Sequence, residues 1–374
     1  MYDTIVIGGG IAGSAVAYHL ARDRAKTLMV TRDKEGQATS AGAGILCPTV
    51  SSRSASEAWY EFAIDAVRYY PELVAELAAA GVEDTGYKQT GLLAVAVDDD
   101  EPPEIDDSLA RARKRGDEYP EKASTIRELS AGEARERCPA LAEPKRAYYV
   151  EEGARVDGRL FADSLLNAAT ANGLDVVEDT VTDVRVENGR AAGVETASTA
   201  YEADSVVVAG GVWSSDLGEK LGLDVPVQAY RGQISHLEST GYDTSEWPVV
   251  NAFRGHYIVP WPDRIVAGAT RETDVGREPR LTAGGVKTVL DEVLRVAPGL
   301  EGATLADLRV GLRPASPDGL PILGRAPDTP GLYFATGHGA TGLQLGPYSG
   351  KLVADAVRSG ENGALEPYWI DRFE

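Results

Sequence analysis

At 374 residues the chain is long enough for one large or two interleaved domains, and a hydrophobic content of 43% supplies a sizeable core. A formal net charge of −21 excludes a surface built for nucleic acid or for anionic membranes, because both need positive charge. The basic residues are mostly arginine, a balance typical of proteins from salt-loving cells and also found in ordinary acidic cytosolic enzymes.

Cysteine use and the start of the chain predict the compartment. Cys47 and Cys138 lie far apart, form no C-x-x-C pair and are joined by no cluster of histidines. We therefore expect a reducing compartment, no disulfide framework and no metal site. The sequence opens almost at once on an apolar stretch without the basic segment of a signal peptide, and no apolar run reaches the roughly 18 residues of a membrane span. These features predict a cytoplasmic protein without a membrane span.

A glycine-rich motif follows the first apolar stretch, in "TIVIGGGIAGSAVAYHLAR". The pattern predicts a buried strand at 4–7, then G-x-G-x-x-G, then a helix, which is the context that a dinucleotide-binding motif requires. The first glycine allows a tight turn, the second lets backbone N–H groups approach a pyrophosphate, and the third lets helix and strand pack closely. The helix N-terminus adds partial positive charge. The cofactor-binding residues predicted here are Gly8, Gly10, Ile11, Ala12 and Gly13.

The second apolar stretch, "KTLMV", departs from the usual pattern at its end. An acidic residue that binds the adenosine ribose is expected about 20 residues beyond the glycines. Here the stretch is followed by Thr31, Arg32 and Asp33. Thr31 with Arg32 suits a 2′-phosphate, as in NADP, whereas Asp33 supplies the ribose contact if it reaches the site. The sequence leaves these alternatives open, and all three are predicted cofactor-binding residues.

Later segments extend the predicted cofactor site. The segment "TSAGAGILCP" at 39–48 is a loop of small residues that lets a flat ring or a diphosphate lie close to backbone. The segments at 203–222 and 331–357 each predict a buried strand, a glycine turn and a helix. The cofactor-binding residues predicted in this remainder of the chain are Thr39, Ser40, Ala43, Gly44, Ile45, Val181, Ala209, Gly210, Trp213, Gly337, His338, Gly339, Ala340, Thr341, Gly342 and Leu343.

Eight motifs in order carry a resemblance that covers nearly the whole chain. They are "GGGIAG", "AGAGIL", "VDGRLFADSLLNAA", "VVVAGGVWS", "YRGQ", "HYIVPWPDRIVAGATRETDVG", "GLRPASPDGLPILG" and "GLYFATGHGATG". In this order they resemble the D-amino-acid-oxidase-like flavoproteins, and among these glycine oxidase, sarcosine oxidases and D-amino-acid dehydrogenases. The resemblance implies non-covalent FAD, with the last glycine turn around the isoalloxazine. It also implies that the next helix points its N-terminus at the flavin, where partial positive charge stabilises the reduced form.

Dinucleotide-like segments alternate along the chain with strand-rich stretches, which predicts interleaved domains rather than two separate halves. We expect an α/β fold (α+β overall), in which a Rossmann-like FAD-binding domain is interleaved with a mixed-sheet substrate-binding domain. The predicted boundaries are 1–85, 151–222 and 319–374 for the FAD-binding domain, and 86–150 and 223–318 for the substrate-binding domain.

Two further stretches carry structural predictions. The acidic run "DDDEPPEIDD" at 98–107 is predicted to be an exposed loop that opens into helices. The stretch "SEAWYEFAIDAVRYYPELVAELAAAG" has helical periodicity, which predicts a helix with aromatic residues in the core. As the alternative, Trp59 or Tyr60 faces the flavin.

The resemblance assigns the substrate carboxylate to Arg313, in the predicted turn "GLRPASPDG". A planar guanidinium binds a carboxylate through two parallel hydrogen bonds, which fixes both its position and its orientation. The alternative is a structural ion pair between Arg313 and Asp318. Tyr257 matches the tyrosine of the family that donates to the same carboxylate, the alternative being a strand tyrosine with one buried face.

Other positions affect the subgroup and the cofactor. Where Ala340 stands, glycine oxidases often carry an arginine, and its absence weakens the assignment to glycine itself. His338 either contacts the flavin or is a turn histidine with its own partner. Cys47 is not expected to be a covalent flavin link, since family members with such a link use a cysteine in the C-terminal part, where this chain has none.

The resemblance implies oxidation of the CH–NH bond of a small amino acid or amine. Hydride passes from Cα to flavin N5, and the imine that forms hydrolyses. The electron acceptor, oxygen or another carrier, stays open, as does a homo-oligomeric state. Two alternatives are an NADPH-linked flavin reductase, motivated by Thr31 and Arg32, and a flavin-bearing subunit of an electron-transfer dehydrogenase complex.

Overall fold

A computed structural model describes residues 1–52, 56–238, 241–360 and 363–373. The α-helices are α1 (Ile11–Arg22), α2 (Glu57–Ala79), α3 (Pro102–Glu118), α4 (Ala131–Arg137), α5 (Gly158–Ala171), α6 (Ser214–Leu221), α7 (Ala283–Val296) and α8 (Gly342–Ser359).

The strands follow in chain order. They are β1 (Tyr2–Ile7), β2 (Thr27–Thr31), β3 (Ile45–Leu46), β4 (Tyr87–Gln89), β5 (Leu92–Ala96), β6 (Ile126–Leu129), β7 (Arg146–Val150), β8 (Ala154–Val156), β9 (Asp175–Glu178), β10 (Val181–Glu187), β11 (Arg190–Thr196), β12 (Ala200–Val208), β13 (Gln228–Glu238), β14 (Val249–Ala252), β15 (Tyr257–Pro260), β16 (Ile265–Gly268), β17 (Thr304–Ala315), β18 (Ile322–Arg325) and β19 (Leu332–Thr336).

The first sheet is parallel in its central part. Its central strands lie in the order β9-β2-β1-β12-β19, and all of these pairings are parallel. Ile5 of β1 lies between Leu28 of β2 and Val206 of β12, and all three side chains are fully buried. The antiparallel strands β18, and β10 with β11, extend the sheet. This order is that of dinucleotide-binding folds, in which ligands bind beyond the carboxyl ends of the strands.

Helices α1, α5 and α8 pack together beside this sheet, and two glycines of α8 set their spacing. A Cβ on Gly346 would lie 2.8 Å from Cγ2 of Ile11, and one on Gly350 would lie 2.4 Å from Cβ of Ala15. Because no side chain separates the two helices at these points, α8 lies directly against α1. The N-termini of both helices therefore reach the same edge of the sheet.

The second sheet has the order β17-β13-β16-β15-β14-β5-β7-β6. Its pairings are antiparallel except for the parallel pair β14 and β5, so the sheet is mixed, as predicted. Strands β3, β8 and β4, in this order, form a third, small antiparallel sheet. The mixed α/β fold class predicted from the sequence is therefore confirmed.

Strand membership supports the proposed division into interleaved domains. Every strand of the first sheet comes from the segments proposed to bind FAD. The second sheet takes its strands from 86–150 and 223–318. The small sheet joins β4 at 87–89 to strands on the other side of the proposed boundary. Along the sequence, the chain passes from one sheet to the other several times.

The helix predicted from "SEAWYEF" is α2, and its first aromatics are core residues. Trp59 and Tyr60 are buried, at 1% and 3% exposure, and neither lines the central cavity described below. The guanidinium of Arg115 lies 4.4 Å from the centre of the Tyr60 ring. The alternative in which one of these aromatics faces the flavin is therefore not supported.

The acidic run differs from its prediction in one respect. Helix α3 begins inside the run, at Pro102, and Glu101 just before it is buried. The Glu101 carboxylate accepts hydrogen bonds from the backbone N–H groups of Val97 and Asp98 and pairs with Arg295 at 2.9 Å. Part of the acidic run is therefore buried, because the Glu101 carboxylate closes the turn that begins α3.

Two absences hold for the described part of the chain. No helix there is both long and apolar enough to cross a bilayer. No group of three His, Cys, Asp or Glu side chains in those same residues is arranged to hold a metal ion.

His19 in α1 predicts a specific sensitivity of the fold to acid. Its Nε2 lies 3.1 Å from the Tyr69 hydroxyl, and burial lowers the pKa of His19 from 6.5 to about 3. Between these values the unfolded chain binds a proton that the folded protein does not, so stability falls as pH falls through this window. For His19→Gln we expect the loss of unfolding free energy between pH 6.5 and 4.5 to be smaller by about 2 kcal/mol.

Urea unfolding of both proteins across this pH range measures the effect. The other histidines are common to both chains, so their contributions cancel in the comparison. Above pH 7.5 the difference between the two proteins is expected to be constant. Parallel curves between pH 6.5 and 4.5 would show that His19 is not the acid-sensitive group.

Candidate active site

A cavity of 630 Å³ lies at the carboxyl ends of β1, β2, β12 and β19, between the first sheet and the second. Its size falls within the range of small-molecule and cofactor sites, about 300–1,000 Å³. Most residues predicted to bind the cofactor line it, namely Gly8, Gly10, Ile11, Ala12, Thr31, Arg32, Thr39, Ala43, Gly44, Ile45, Val181, Ala209, Gly210, Trp213, His338, Gly339, Ala340, Thr341, Gly342 and Leu343.

The first glycine loop leaves backbone exposed where side chains would fill the space. Gly8 has a φ of +104°, and a Cβ there would lie 2.5 Å from the carbonyl oxygen of Ala209. A Cβ on Gly13 would lie 2.0 Å from the carbonyl oxygen of Gly8, which explains why this glycine packs inside the loop and does not line the cavity. Gly10 contributes no capping side chain to α1, and the Thr39 hydroxyl accepts a hydrogen bond from the backbone N–H of Ile11 at 3.0 Å. This cradle fits a pyrophosphate bound by backbone N–H groups.

Of the three cofactor-site residues predicted at the end of β2, Thr31 and Arg32 line the cavity and Asp33 does not. The Thr31 hydroxyl accepts a hydrogen bond from the backbone N–H of Gly9 at 3.0 Å, so it braces the glycine loop. Arg32 donates to the Thr180 hydroxyl at 2.9 Å. Asp33 is exposed and does not line the cavity, so the structure does not bring it to the site.

Lys34, which the sequence analysis missed, does line the cavity. Its ammonium group lies 4.2 Å from the centre of the Trp213 ring. Two other predicted residues lie outside the cavity wall. Ser40 donates to the backbone carbonyl of Gln37 at 3.3 Å, and Gly337 forms a turn with a φ of +74° against Ile322.

The start of α8 forms another wall. Gly339 to Leu343 line the cavity, and no side chain caps the helix at Thr341. The backbone N–H groups of this end therefore offer partial positive charge to a ligand. Nε2 of Gln344 is buried without a hydrogen-bond partner among the described residues, while its Oε1 accepts from the backbone N–H of Cys47. An orphaned donor in this wall fits a ligand that carries hydrogen-bond acceptors, as FAD does.

His338 and Cys47 both lie in the cavity wall in their neutral forms. His338 is buried, its Nε2 lies 3.0 Å from the Ser349 hydroxyl, and burial lowers its pKa to about 4. It therefore has its own partner and also lines the site. Burial raises the pKa of the Cys47 thiol to about 12, and a protonated thiol is a poor nucleophile.

Arg313 and Tyr257 lie in the part of the cavity that the second sheet provides. Arg313 belongs to β17, where it pairs with Tyr230, and so the prediction that it sits in a turn is wrong. The strand continues through Pro314 because β17 is at the edge of the sheet, where a missing N–H is tolerated. The predicted alternative, an ion pair with Asp318, is also wrong, since Asp318 pairs with Arg372 at 2.7 Å.

A glycine lies under each of these polar side chains. A Cβ on Gly232 would lie 2.1 Å from Nη2 of Arg313, so only glycine leaves room for the guanidinium there. Nη1 of Arg313 donates to the backbone carbonyl of Thr270 at 3.1 Å. A Cβ on Gly268 would lie 2.9 Å from the Tyr257 hydroxyl, which forms no hydrogen bond with the described residues. Both side chains are thus seated by the backbone and free to bind a ligand.

Arg271 is a further cavity residue that the sequence analysis missed. It follows β16 in the motif "HYIVPWPDRIVAGATRETDVG", in which the sequence analysis assigned it no role. The sequence offered one signal for Arg271: it follows an apolar strand that lies downstream of Tyr257. Its proximity to Arg313 comes from a pairing of distant strands, which the local sequence does not show.

A dinucleotide cradle that opens onto a wall with Arg313, Arg271 and Tyr257 fits a flavin-dependent oxidoreductase. Residues 3–356 match the model of the family described as FAD dependent oxidoreductase. The chain belongs to this family, and its FAD cofactor and its class of enzyme, both predicted from the sequence, are confirmed.

Among similar proteins, the uncharacterized oxidoreductase YurR of Bacillus subtilis (strain 168) is 40% identical over 98% of each chain. The crystal structure of iminodiacetate oxidase (IdaA) from Chelativorans sp. BNC1 has a TM-score of 0.92 at 39% identity and covers 98% of each chain. That of glycine oxidase from Geobacillus kaustophilus has a TM-score of 0.87 at 30% identity, covering 99% of this chain and 98% of its own.

Proposed function

We propose that this enzyme oxidises the CH–NH bond of a small amino acid whose carboxylate binds to Arg313 and Tyr257. The observation that carries the proposal is the guanidinium of Arg313, whose hydrogen bond to the Thr270 carbonyl leaves its charge without an acidic partner among the described residues. It is seated on Gly232 in the wall of the FAD cavity and forms no ion pair with the described residues. A carboxylate that accepts both parallel N–H groups would be fixed in position and orientation.

The similar proteins support an amine next to a carboxylate as the reacting group. One is named glycine oxidase and another iminodiacetate oxidase, and both named substrates contain an N–CH₂–COO⁻ unit. They differ in whether the nitrogen carries a second carboxylate arm. Glycine oxidases often carry an arginine where this chain has Ala340, and the lack of that arginine disfavours glycine itself as the substrate.

When FAD is bound, it supplies the acceptor for the hydride that leaves the substrate Cα, and the resulting imine hydrolyses to a carbonyl compound and an amine or ammonia. The residues of the chain would position the substrate for this step. Arg313 holds the carboxylate, Tyr257 donates a second hydrogen bond to it, and the second sheet covers the reacting carbon from water. Oriented binding of this kind contributes on the order of 7–11 kcal/mol at best.

The walls near Arg313 supply position and charge rather than a strong base. Tyr257, Arg271 and glycines surround it, and His338, the histidine in the described cavity wall, is neutral and bonded to Ser349. The substrate amine therefore has to enter in its neutral form, losing its proton to solvent. Rate then depends on orientation and on stabilisation of the carboxylate.

An anaerobic screen tests the proposal. The FAD-bound protein is mixed with glycine, sarcosine, iminodiacetate and small D-amino acids while the visible absorbance of the flavin is followed. Bleaching by one or more of these compounds is the expected result. If none of them bleaches the flavin and NADPH does, the flavin reductase alternative replaces the proposal; if neither does, a flavin-bearing subunit of a larger complex replaces it.

Tyr257→Phe is expected to weaken substrate binding by about 0.5–1.5 kcal/mol, the net contribution of one hydrogen bond. The limiting rate of flavin reduction should stay close to that of the wild type, because the hydroxyl binds the carboxylate and not the reacting carbon. Stopped-flow reduction over a range of substrate concentrations separates the two quantities. A mutant that is folded, yellow and unchanged in both would make Tyr257 a strand residue only.

A further inference from the structure

Arg271 is a second arginine whose charge faces the same cavity as that of Arg313. It lies three residues beyond the end of β16, beside Gly255. A Cβ on Gly255 would lie 3.2 Å from Nη1 of Arg271, and Nη2 donates a long hydrogen bond of 3.4 Å to the Gly255 carbonyl. Like the Arg313 guanidinium, this one is therefore seated against a glycine.

Glu272 and two aspartates near this wall are paired with other cations. Glu272, adjacent in sequence, accepts from Nε of Arg231 at 3.1 Å and from Gln233 at 2.6 Å. Arg254, which also lines the cavity, pairs with Asp98 and Asp100 at 3.0 Å each.

Arg271 and Arg313 nevertheless form no ion pair with any of residues 1–52, 56–238, 241–360 and 363–373. Arg271 is solvent-exposed at the cavity wall, and desolvation followed by the positive charge of Arg313 lowers its pKa, so the two guanidinium groups repel each other within one site. Two like charges held together without a counter-ion destabilise the empty site. An anion that neutralises both would remove this repulsion.

We propose that Arg271 forms a second anion subsite, and that the preferred substrates are secondary amines with a carboxylate on each arm. This inference rests on the proposed function and deepens it. Arg313 and Tyr257 hold the carboxylate next to the carbon that is oxidised, and Arg271 holds the carboxylate of the other arm. Each arginine takes one carboxylate through charge-assisted hydrogen bonds.

The reaction balances for such a substrate, R–NH–CH₂–COO⁻ with a second carboxylate in R. The Cα–H bond breaks and its hydride reduces FAD by two electrons, while the nitrogen loses its proton to water and a C=N bond forms. Water adds to this carbon and the C–N bond breaks. The products are a 2-oxo acid and a primary amino acid, R–NH₂, which keeps the carboxylate held by Arg271.

Sarcosine and iminodiacetate are the matched probes, since they share the oxidised CH₂–COO⁻ group and differ by one carboxylate. We expect the wild type to have a kcat/KM at least tenfold higher for iminodiacetate. Arg271→Gln should lower kcat/KM for iminodiacetate by about 10- to 150-fold, the equivalent of one lost charge-assisted contact. The same variant should change kcat/KM for sarcosine by less than about threefold.

Two further variants control the experiment. Arg271→Lys keeps the charge without the planar fork, and is expected to recover part of the lost activity towards iminodiacetate. Arg280→Gln removes an exposed arginine of the same loop region and should leave both substrates unaffected.

Two outcomes would contradict the inference and leave the proposed function intact, and a third would defeat the proposed function. Equal losses for both probes in Arg271→Gln would show that the residue is not a second subsite. A wild type that reacts with sarcosine as well as with iminodiacetate would overturn the inference and leave the proposed function intact, even if no Arg271 variant folded. A flavin that neither probe nor any amino acid reduces would defeat the proposed function itself.

Discussion

Arg313→Lys is expected to bind FAD normally and to lose about 10- to 150-fold in kcat/KM, with most of the loss in KM. The guanidinium lies flat above Gly232 and presents two parallel N–H groups, whereas an ammonium is a point charge that cannot reproduce this fork. Losing one charge-assisted hydrogen bond of the pair costs about 1.5–3 kcal/mol. Arg313 lies in the second sheet, away from the glycine loop, so cofactor binding should not change.

Steady-state kinetics with the best substrate from the anaerobic screen measures this effect. Arg280→Lys makes the same chemical change at an exposed position and serves as the control. A KM equal to that of the wild type in a folded, yellow protein would assign Arg313 a structural role. A loss of FAD would show that the second sheet supports the cofactor more directly than the contacts indicate.

Gly13→Ala is expected to abolish FAD binding and to destabilise the protein by about 1–3 kcal/mol. The new methyl group would lie 2.0 Å from the carbonyl oxygen of Gly8 and 3.1 Å from Cβ of Ala209. Backbone cannot move aside as a flexible side chain can, so α1 has to shift away from β1. That shift would disrupt the turn at Gly8 and the N-terminus that faces the pyrophosphate.

Flavin absorbance of the purified protein and thermal unfolding report the two effects. Gly284→Ala is the matched control, because the structure shows nothing within 4 Å of the added methyl group in the first turn of α7. Alanine also favours a helix over glycine, so the control should be as stable as the wild type or more so. A yellow Gly13→Ala protein of normal stability would contradict the packing described here.

The glycine motifs made the cofactor site predictable because each marks a place where backbone geometry excludes a side chain. Gly8 has a φ of +104°, and a Cβ on Gly44 would lie 1.7 Å from the carbonyl oxygen of Val156. Such requirements can be recognised from the spacing of glycines in a single sequence. The parallel order of the first sheet followed from the same motif, since strand, glycine turn and helix recur together in that fold.

Positions that depend on how far a loop turns were not predictable. After β2 the chain curves so that Thr31 braces the glycine loop, Lys34 reaches the cavity and Asp33 points to solvent. Sequence spacing alone gives each of them a similar chance of facing the ligand. Arg271 was missed for a different reason, since a charged residue in a polar loop is ordinarily solvated.

The walls of the cavity come from opposite ends of the chain. The first glycine loop lies before residue 14, while Arg313, β19 and the start of α8 follow only after residue 312. During synthesis β1 can pair with β2 early and with β12 once residue 208 has been made, whereas β19, the second neighbour of β12, emerges near the end of the chain. A nascent chain on the ribosome has no complete site for FAD, so cofactor loading belongs to the finished polypeptide. Any truncation before residue 332 removes the closing strand and α8 together.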